Sequence, residues 1–395
     1  MYPNYIKHLL QIEDVKVKKV YYGIDNTINI MLETKPSQHI CPCCGKSTSR
    51  VHDYRNQKIK HIPMGMHSTI LILRKRRYSC SCGKRFYENY TWLPKYQHMT
   101  RQLIKYICHK LRDTVSYKHV AKESNVSIST VIRTFNRINY PKLDTFPEIL
   151  CIDEFRGNAE TDKYQCILVD GRKKHQHVIE ILPDRKQHHL TEYFISIPRK
   201  EREKVKFFIQ DMWLPYKEIA NTYFKNAKII IDKYHFVRQV TWAIDRVRRR
   251  LQEKMSAKLR KYFKYSKSLI LKRYKYLTKE QKEKCDLMLL YNDELRQAHF
   301  LKEWFFDICR ETKYRVVREE FSRWIKNAES SGIKDFEDVA ATFQRWYKEI
   351  LNSFKYGYTN GATEGFNNKI KVLKRVSYGI KNFDRFRNRI LHICG

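Results

Sequence analysis

The stretch EILCIDE, residues 148–154, is a short apolar run that ends in two neighbouring acids. Runs of this length, bounded by turn residues, are typical of buried β-strands. Four similar runs follow, with two helical segments among them, so the order predicts an α/β domain: three antiparallel strands, a helix, a strand, a helix and a strand. The further strands are YQCILVDG (164–171), HVIEIL (177–182), VKFFIQD (205–211) and AKIIID (227–232), and the helices are DRKQHHLTEYFISI (184–197) and LPYKEIANTYF (214–224).

Two of these strands carry acids that suit metal chemistry. A ribonuclease-H-like domain has this order of elements, and in it an acid on the first strand lies beside an acid that ends the fourth. Asp153 and Asp211 occupy those places. Two divalent cations about 4 Å apart need carboxylate oxygens that converge from different elements. Two acids compete with them: strand alternation turns Glu154 to the opposite face, and Asp232 ends the fifth strand, which is not the neighbour of the first.

The charge of the chain predicts a polyanionic partner. Its 395 residues contain 79 Lys and Arg against 42 Asp and Glu, a formal net charge of +37. Neutralising nucleic-acid phosphates releases condensed counterions, which makes such binding favourable. A solvated surface or a purely structural nucleic-acid binder also fits this charge. No apolar run approaches the roughly 20 residues needed to cross a bilayer, and the N-terminus has no signal-peptide pattern, so we expect an intracellular protein without a membrane partner.

The cysteines predict a zinc site near the N-terminus. Five of the 11 cysteines lie in two tight clusters, CPCC and CSC. Cys41 and Cys44 with Cys80 and Cys82 offer four thiolates for tetrahedral Zn²⁺. Gly45 and Gly83 suit the tight turns of such ligand loops. Several alternatives stay open: Cys43 as a substitute ligand, unligated thiols, or a histidine replacing one cysteine, the candidates being His52, His61 and His67.

Residues 116–138 predict a helix-turn-helix. Their apolar positions fit two short helices around a turn at 123–127, and Ser127 is placed to cap the second helix. In this motif the second helix enters the major groove of DNA. An ordinary helical hairpin is the alternative. The side chains that the second helix would direct outward are Ser129, Thr130, Arg133 and Arg137.

A long helical region is predicted after the strands. Residues 216–331 contain neither Pro nor Gly, the residues that most often interrupt helices. We therefore expect a helical insertion over roughly 240–355. The basic and aromatic tract RVRRRLQEKMSAKLRKYFKYSKS (246–268) suits contact with a DNA backbone or a distorted DNA end, although a solvated helical hairpin explains it nearly as well. WFFDIC and FSRWI fit a core better than a base-stacking surface.

Four segments, LCIDEF, IQDMWLPY, IIIDKYHFVR and TNGATEGFNNKIKVLKRVSYG, resemble the ISL-three family of bacterial insertion-sequence transposases, which are DDE enzymes with a ribonuclease-H-like core. The resemblance covers nearly the whole chain, because that family also carries a zinc ribbon and a helix-turn-helix. It implies that Asp153, Asp211 and Glu364 are the catalytic acids, and that Asp232 and His235 lie near the active site. The C-x-C spacing of Cys80 and Cys82 departs from the usual C-x-x-C.

The segment around Glu364 combines an acid with a basic tract. We expect a helix that begins near Glu364, with Phe366, Ile370 and Leu373 on its buried side and the acid on the other. Gly361 and Gly365 would let the chain turn sharply into this helix. Basic residues one to three turns further on would hold the DNA backbone next to the acid: Lys371, Lys374 and Arg375.

The resemblance also implies a function and its partners. The fold class is α/β: a ribonuclease-H-like DDE core with a large helical insertion, preceded by a zinc ribbon and a helix-turn-helix. The reaction is two-metal cleavage and strand transfer, with two Mg²⁺ or Mn²⁺ per active site and a structural Zn²⁺. The partners are double-stranded DNA (terminal inverted repeats and target) and at least a second copy of the chain, in the cytoplasm at the nucleoid. A DNA-binding regulator with an inactive core is the alternative, and no tyrosine-recombinase constellation is present.

The predicted division of the chain has five parts, with a proline-containing linker at 139–148 before the core. These parts are a zinc-ribbon domain (1–95), a helix-turn-helix domain (96–140), the first part of the core (141–239), the helical insertion (240–355) and the C-terminal part of the core (356–395).

Overall fold

The computed structural model describes residues 3–12, 14–157, 162–265 and 267–395. The chain forms two compact units. The first contains residues 1–141 and 369–393, and the second contains residues 142–368 and 394–395. No helix in the described part of the chain is both long and apolar enough to span a bilayer.

A β-sheet forms most of the N-terminal region. Its strand order is β1-β2-β6-β5, and β7 pairs with the C-terminal end of β6 (Arg77–Ser79). Strands β3 and β4 form a separate pair. Alternating apolar residues such as Ile30, Leu32, Leu71 and Leu73 fill its buried side. The sequence analysis did not predict this sheet. The elements are α1 (Pro3–Leu10), β1 (Val15–Tyr22), β2 (Thr27–Thr34), β3 (His39–Ile40), β4 (Ser47–Thr48), β5 (Val51–Met64), β6 (His67–Ser79) and β7 (Arg85–Tyr87).

Three short helices follow, α2 (Arg101–Lys110), α3 (Tyr117–Glu123) and α4 (Ile128–Phe135). The Ser127 hydroxyl accepts a hydrogen bond from the Thr130 N–H, which begins α4 as predicted. Apolar side chains of all three helices share one core. The predicted pair of helices and its turn are therefore confirmed.

The sheet of the second unit has the predicted elements in the predicted sequence order. Its strand order is β10-β9-β8-β11-β12, with β8, β9 and β10 antiparallel and β11 parallel to both β8 and β12. Strands β9 and β10 are almost wholly buried, as strands covered on both faces are. The elements are β8 (Ile149–Arg156), β9 (Tyr164–Asp170), β10 (Val178–Leu182), α5 (Gln187–Ser196), α6 (Arg199–Arg202), β11 (Phe207–Gln210), α7 (Leu214–Tyr223) and β12 (Lys228–Ile231).

The tract after β12 is helical, as its lack of Pro and Gly predicted. Its buried aromatic residues, among them Phe305, Trp324 and Phe343, form a core of their own, so the prediction that WFFDIC and FSRWI serve the core holds for Phe305 and Trp324. A 3₁₀ turn lies at Tyr274–Tyr276. The helices are α8 (Lys233–Glu253), α9 (Ala257–Tyr265), α10 (Lys267–Leu271), α11 (Lys279–Tyr291), α12 (Asp293–Ile308), α13 (Tyr314–Glu329), α14 (Lys334–Arg345) and α15 (Tyr347–Tyr356).

The last two helices are α16 (Gly361–Val376) and α17 (Phe383–Cys394). Helix α16 is predicted to begin near Glu364 but begins one turn earlier, at Gly361, so Gly365 lies inside it and makes no turn. Helix α17 belongs to the first unit together with α2–α4. Its His392 Nε2 lies 2.7 Å from the Cys108 carbonyl oxygen, and its buried Arg389 donates to the Val115 carbonyl at 2.9 Å. The C-terminal helix is thus part of the helix-turn-helix unit.

We predict that Trp324→Ala lowers the free energy of unfolding of the second unit by about 3–5 kcal/mol, because a buried Trp leaves a large cavity. Trp324 is 0% exposed, and its indole N–H donates to the Leu301 carbonyl. Urea-induced unfolding followed by circular dichroism measures the change. Phe300→Ala is the matched control, because Phe300 is 61% exposed and its loss should cost less than about 0.5 kcal/mol. Equal stabilities of the two variants would contradict this packing.

Candidate active site and metal centre

Strand pairing brings Asp153 and Asp211 together. Strands β8 and β11 are parallel, and their last paired residues are Cys151 and Ile209. Each acid lies two residues further along its strand, so by strand alternation both side chains follow the same face as that pair. Both acids follow apolar runs, and β8 is buried from Ile149 to Ile152, so the Asp153 side chain is partly buried as well. The predicted neighbourhood of these two acids is confirmed.

Glu154 joins them. One carboxylate oxygen from each of Asp153, Glu154 and Asp211 lies within 4.8 Å of the others. The prediction that strand alternation separates Glu154 from Asp153 is therefore wrong for their carboxylates. Asp211 lies one residue beyond the end of β11, and the longer Glu154 side chain reaches the same space. Asp232, the competitor for the second position, is outside this group of three.

Both oxygens of Glu154 already have partners. The Arg185 guanidinium donates to Oε1 at 2.7 Å, and the Tyr216 hydroxyl donates to Oε2 at 3.3 Å. Arg185 itself lies over the rings of Tyr164 and Trp213, at 4.6 and 4.9 Å from their centroids. The sequence analysis missed Arg185 and Tyr216, because no motif or spacing connects them to the acids.

The two aspartates carry strongly shifted pKa values. Burial raises the pKa of Asp153 to about 7; a hydrogen bond from the Glu154 N–H opposes this shift, and the negative charges nearby add to it. Burial likewise raises the pKa of Asp211 to about 7, with the charges of Glu154 and Asp153 adding to it and those of Arg185 and Arg238 opposing it. Crowded, partly desolvated carboxylates of this kind are stabilised by a cation.

The donor set fits a divalent cation. Asp211 Oδ1 is buried and accepts no hydrogen bond from any residue that the structure describes. Buried polar atoms without a partner are rare in folded proteins and call for one. Carboxylate oxygens are the ligands that Mg²⁺ and Mn²⁺ prefer. Asp211 Oδ1 can therefore bind a hard cation without losing a hydrogen bond.

Glu364 lies near this group and outside it. It is exposed in the first turn of α16, and its carboxylate is not among the three that converge. Its negative charge nevertheless raises the pKa of Asp153, so the two are within electrostatic reach. The side chain that contacts Asp153 from α16 is Asn367, whose Nδ2 donates to Oδ2 at 3.0 Å. The role of Glu364 stays a prediction.

Two asparagines attach the beginning of α16 to the sheet, and sequence reasoning missed both as site residues. The Asn360 N–H donates to Asp232 Oδ1 at 3.1 Å, and Asn367 contacts Asp153. The three-residue spacing of Asn367 from Glu364 was the available signal, because such residues are neighbours on a helix. Asp232 therefore helps to hold the beginning of α16 in place.

His235 lies half-buried on the first turn of α8. Burial lowers the pKa of its imidazole, and the nearby charge of Asp232 opposes that shift. Its Nδ1 lies 3.5 Å from an Arg238 nitrogen. Asp232 and His235 thus interact electrostatically at the beginning of α8, neither belongs to the converging group, and their near-site role stays a prediction.

The predicted DNA-contacting residues are largely accessible. Ser129, Arg133 and Arg137 are exposed on or just after α4. On α16, Lys371 and Arg375 are exposed and Lys374 is half-buried. This distribution agrees with the predicted outward faces of both helices.

The basic tract of α8 is less accessible than predicted. Arg248 is buried and pairs with Asp245, and Arg246 and Arg250 both pair with Asp335. Ion pairs of this kind neutralise the charge that would attract DNA. Asp245 lies on α8 itself, one turn before Arg248, whereas Asp335 lies on α14. Contact of this tract with the DNA backbone stays a prediction.

The four predicted cysteines form one cluster, in which the Sγ atoms of Cys41, Cys44, Cys80 and Cys82 all lie within 4.8 Å of one another. Two Sγ–Sγ distances are 3.7 and 3.5 Å, close to the roughly 3.8 Å edge of a tetrahedron with Zn–S bonds of about 2.3 Å.

Gly45 and Gly83 follow the cysteine pairs with φ of +73° and +84°, a conformation that glycine adopts at little cost. Cys43 is exposed and, like His52, His61 and His67, lies outside the cluster. The cluster therefore fits a structural Zn²⁺.

We predict about one zinc per chain in the purified protein and its loss in Cys41→Ser, because three thiolates hold the ion far less tightly than four. Metal analysis by mass spectrometry and the thermal unfolding midpoint measure the change. Cys43→Ser is the matched control, since Cys43 is exposed and outside the cluster. Retention of zinc by Cys41→Ser, or its loss in Cys43→Ser, would contradict this ligand set.

Comparison with known proteins identifies relatives along the whole chain. A family model described as transposase, of the ISL3 type, matches residues 150–390. A zinc-finger model of the transposases of IS204, IS1001, IS1096 and IS1165 matches residues 37–82, and a helix-turn-helix model of transposase family ISL3 matches residues 88–139. The first of these covers more than half of the chain.

Individual proteins agree with the family models. The transposase for insertion sequence element IS1001 of Bordetella parapertussis is 26% identical over 91% of this chain and 90% of its own length. The transposase for IS1557 of Mycobacterium tuberculosis is 27% identical over 27% of this chain and 24% of its own length. A Lactococcus lactis protein named ATP-dependent protease is 32% identical, but over only 33% of its length. The chain belongs to the ISL3 family of transposases.

Proposed function

We propose that this protein cleaves the ends of an insertion sequence and joins them to target DNA by phosphoryl transfer. The observation that carries the proposal is the pair Asp153 and Asp211, which converge at the ends of parallel strands, where Asp211 Oδ1 has no partner among the residues that the structure describes. In the reaction, water cleaves the phosphodiester at the element's end and frees a 3′-hydroxyl. This hydroxyl then attacks a phosphodiester of the target strand, forms a new ester with its phosphorus and releases the target's own 3′-hydroxyl. No covalent protein intermediate is required.

The core that supports this chemistry is ribonuclease-H-like. Its three antiparallel strands β10, β9 and β8 continue into the parallel strands β11 and β12, and helices connect the parallel part. This order puts the first and fourth strands side by side. Carboxylates at the ends of two neighbouring parallel strands can face the same phosphodiester, and cleavage of that bond requires this arrangement.

Asp153, Asp211 and Glu364 are the residues that we assign to two Mg²⁺ or Mn²⁺ ions. Such ions, when bound, activate water and stabilise negative charge on the phosphodiester. The chain's own residues prepare the site. Asn367 donates to one oxygen of Asp153, and Asn360 and Asp232 hold the beginning of α16, which keeps Glu364 within electrostatic reach of Asp153.

Arg185 completes this arrangement by holding Glu154. The ion pair occupies one Glu154 oxygen and Tyr216 occupies the other. A carboxylate held in this way is a poorer ligand than Asp211, whose Oδ1 has no partner among the described residues. We therefore keep Glu364, rather than Glu154, as the third acid.

The DNA partners follow from the family and the charge. We propose that α4 reads terminal inverted repeats, that Lys371, Lys374 and Arg375 contact the backbone, and that at least two copies of the chain assemble on the two ends. The protein would act in the cytoplasm at the nucleoid, where its substrate lies. The five-part division of the chain (1–95, 96–140, 141–239, 240–355 and 356–395) is part of the same proposal.

A regulator with an inactive core is the second candidate, and one observation favours it: the Glu364 carboxylate lies outside the converging group. Such a protein would bind the terminal repeats through α4 and leave them uncut. Cleavage by the purified protein distinguishes the two.

We predict Mg²⁺-dependent cleavage of duplex DNA that carries the element's end. Each of Asp153→Asn, Asp211→Asn and Glu364→Gln should reduce it by at least about 100-fold, the scale at which charged groups in such sites act. Gel analysis of end-labelled DNA measures the rates. Asp338→Asn is the matched control, because Asp338 is an exposed acid on α14 that pairs with Lys334.

A Glu154→Gln variant tests the assignment of the third acid. A larger loss of cleavage in Glu154→Gln than in Glu364→Gln would transfer the role to Glu154. All variants should bind the end DNA like the wild type. If the three acid variants cleave as fast as the wild type while they bind DNA, the protein does not use this site for cleavage.

We predict that Arg133→Ala weakens binding to end DNA by about 1–3 kcal/mol, and weakens binding to unrelated DNA less, because a base contact carries sequence information and a phosphate contact does not. Fluorescence anisotropy with labelled duplexes measures both affinities. Arg315→Ala removes the same charge from α13, where Arg315 is exposed and pairs with Glu319, so it is the matched control. Equal losses for the two variants would show that only net charge matters.

A further inference from the structure

Helix α8 has an exposed aromatic surface beside the acid site. Tyr234 and Trp242 are 61% and 47% exposed, and Arg238 lies between them at helical spacing. The opposite side of the same helix is buried through residues such as Phe236 and Val240. We call Tyr234, Arg238 and Trp242 the α8 surface. Large exposed aromatic rings in a row are unusual on a helix whose other face already supplies the core.

Arg238 ties the two rings into one surface. Its guanidinium carbon lies 5.1 Å from the Tyr234 ring centroid and 4.5 Å from that of Trp242. Its Nε is buried and has no hydrogen-bond partner among the described residues. The α8 surface therefore offers two aromatic rings and a fixed positive charge. A ligand that matches it has a flat ring and a negative charge close together.

The α8 surface borders the carboxylates. Helix α8 begins directly after β12, with Asp232 as the residue that precedes it. The charge of Arg238 lowers the pKa of Asp211, against the larger effect of burial, which places Arg238 within electrostatic reach of that acid. Arg238 also lies 3.5 Å from His235. A ligand on this surface would thus lie next to a phosphodiester held at Asp153 and Asp211.

We propose that the α8 surface binds a single unpaired nucleobase of the DNA strand next to the phosphodiester that is cleaved. The inference rests on the proposed function and adds a second contact to it. Base faces in a paired duplex are covered by their neighbours, so exposed rings gain stacking energy only from a base that has left the helix. Arg238 would hold the phosphate of that nucleotide, while Tyr234 and Trp242 would take its ring.

The position of the acids makes an unpaired base useful. Asp153 and Asp211 are partly buried at the end of a sheet, whereas the backbone of a straight duplex is a wide, stiff rod. Bringing one phosphodiester to them requires local distortion. Stacking of one displaced base on α8 offsets part of the cost of unpairing, so the distorted form is the one that the protein stabilises.

Binding of two DNA duplexes tests the proposal, in buffer without Mg²⁺ so that no strand is cut. One duplex carries the fully paired element end, and the other carries the same end with one unpaired thymine at the cleavage position. The wild type should bind the second about tenfold more tightly, since stacking on one aromatic side chain has this magnitude. Trp242→Ala should lose this preference, and Trp242→Phe should keep it.

Permanganate reactivity of the thymine gives a second readout. The reagent attacks the face of the base, so stacking should protect the thymine in the wild-type complex and Trp242→Ala should expose it. Phe300→Ala is the matched control, because Phe300 is an exposed aromatic residue on α12 (61%, against 47% for Trp242); it should keep both the preference and the protection. Circular dichroism checks that each variant is folded.

The outcomes separate the two proposals. No preference for the unpaired thymine in the wild type, or a full preference in Trp242→Ala, overturns the α8 inference and leaves cleavage at the acids untouched. Wild-type protein that shows the preference but cuts no DNA with Mg²⁺ overturns the proposed function and retains the nucleobase site.

Discussion

The structure of the second unit depends on one electrostatic constraint: two aspartates are forced together by the parallel pairing of β8 and β11. Asp153 and Asp211 each lie two residues past the last pair of that ladder. Their mutual repulsion and burial oppose the charged forms, and Arg185 and Arg238 only partly offset this for Asp211. Buried carboxylates with strongly shifted pKa values are typical of functional sites.

The surrounding residues share the task of holding this pair in a defined geometry. Arg185, in the loop between β10 and α5, and Tyr216, on α7, each donate a hydrogen bond to one oxygen of Glu154. From the helical side, Asn367 fixes Asp153 and Asn360 holds α16 against Asp232. Hydrogen bonds to carboxylates are stronger than those between neutral groups. Among the described residues, both carboxylate oxygens of Glu154 accept a hydrogen bond, whereas Asp211 Oδ1 accepts none.

Strand-level features could be predicted from the sequence, and side-chain partners could not. The apolar runs that end in Asp153 and Asp211 fixed the order of the sheet, and the cysteine spacing predicted the Cys41, Cys44, Cys80 and Cys82 cluster. The position of the Glu154 carboxylate was wrong, because alternation describes Cβ directions and not the reach of a long side chain at a strand end. Arg185, Asn360 and Asn367 were missed because each acts through a partner far away in sequence. The roles and the domain boundaries stay predictions.

The helical region explains how roughly 150 residues can separate Asp211 from Glu364 without disturbing the site. Helix α8 leaves the sheet directly after β12, and α15 returns to the same strand, where Asn352 donates to the Ile229 carbonyl and Ser353 to that of Ile231. Strand β12 ends the sheet, so these bonds satisfy part of its open edge. Helices α8 and α15 thus meet at β12, and the core of the helical region includes Ile231 of that strand. Because α16 begins only a few residues after α15, the edge contact of α15 with β12 also helps to place the beginning of α16, which carries Glu364.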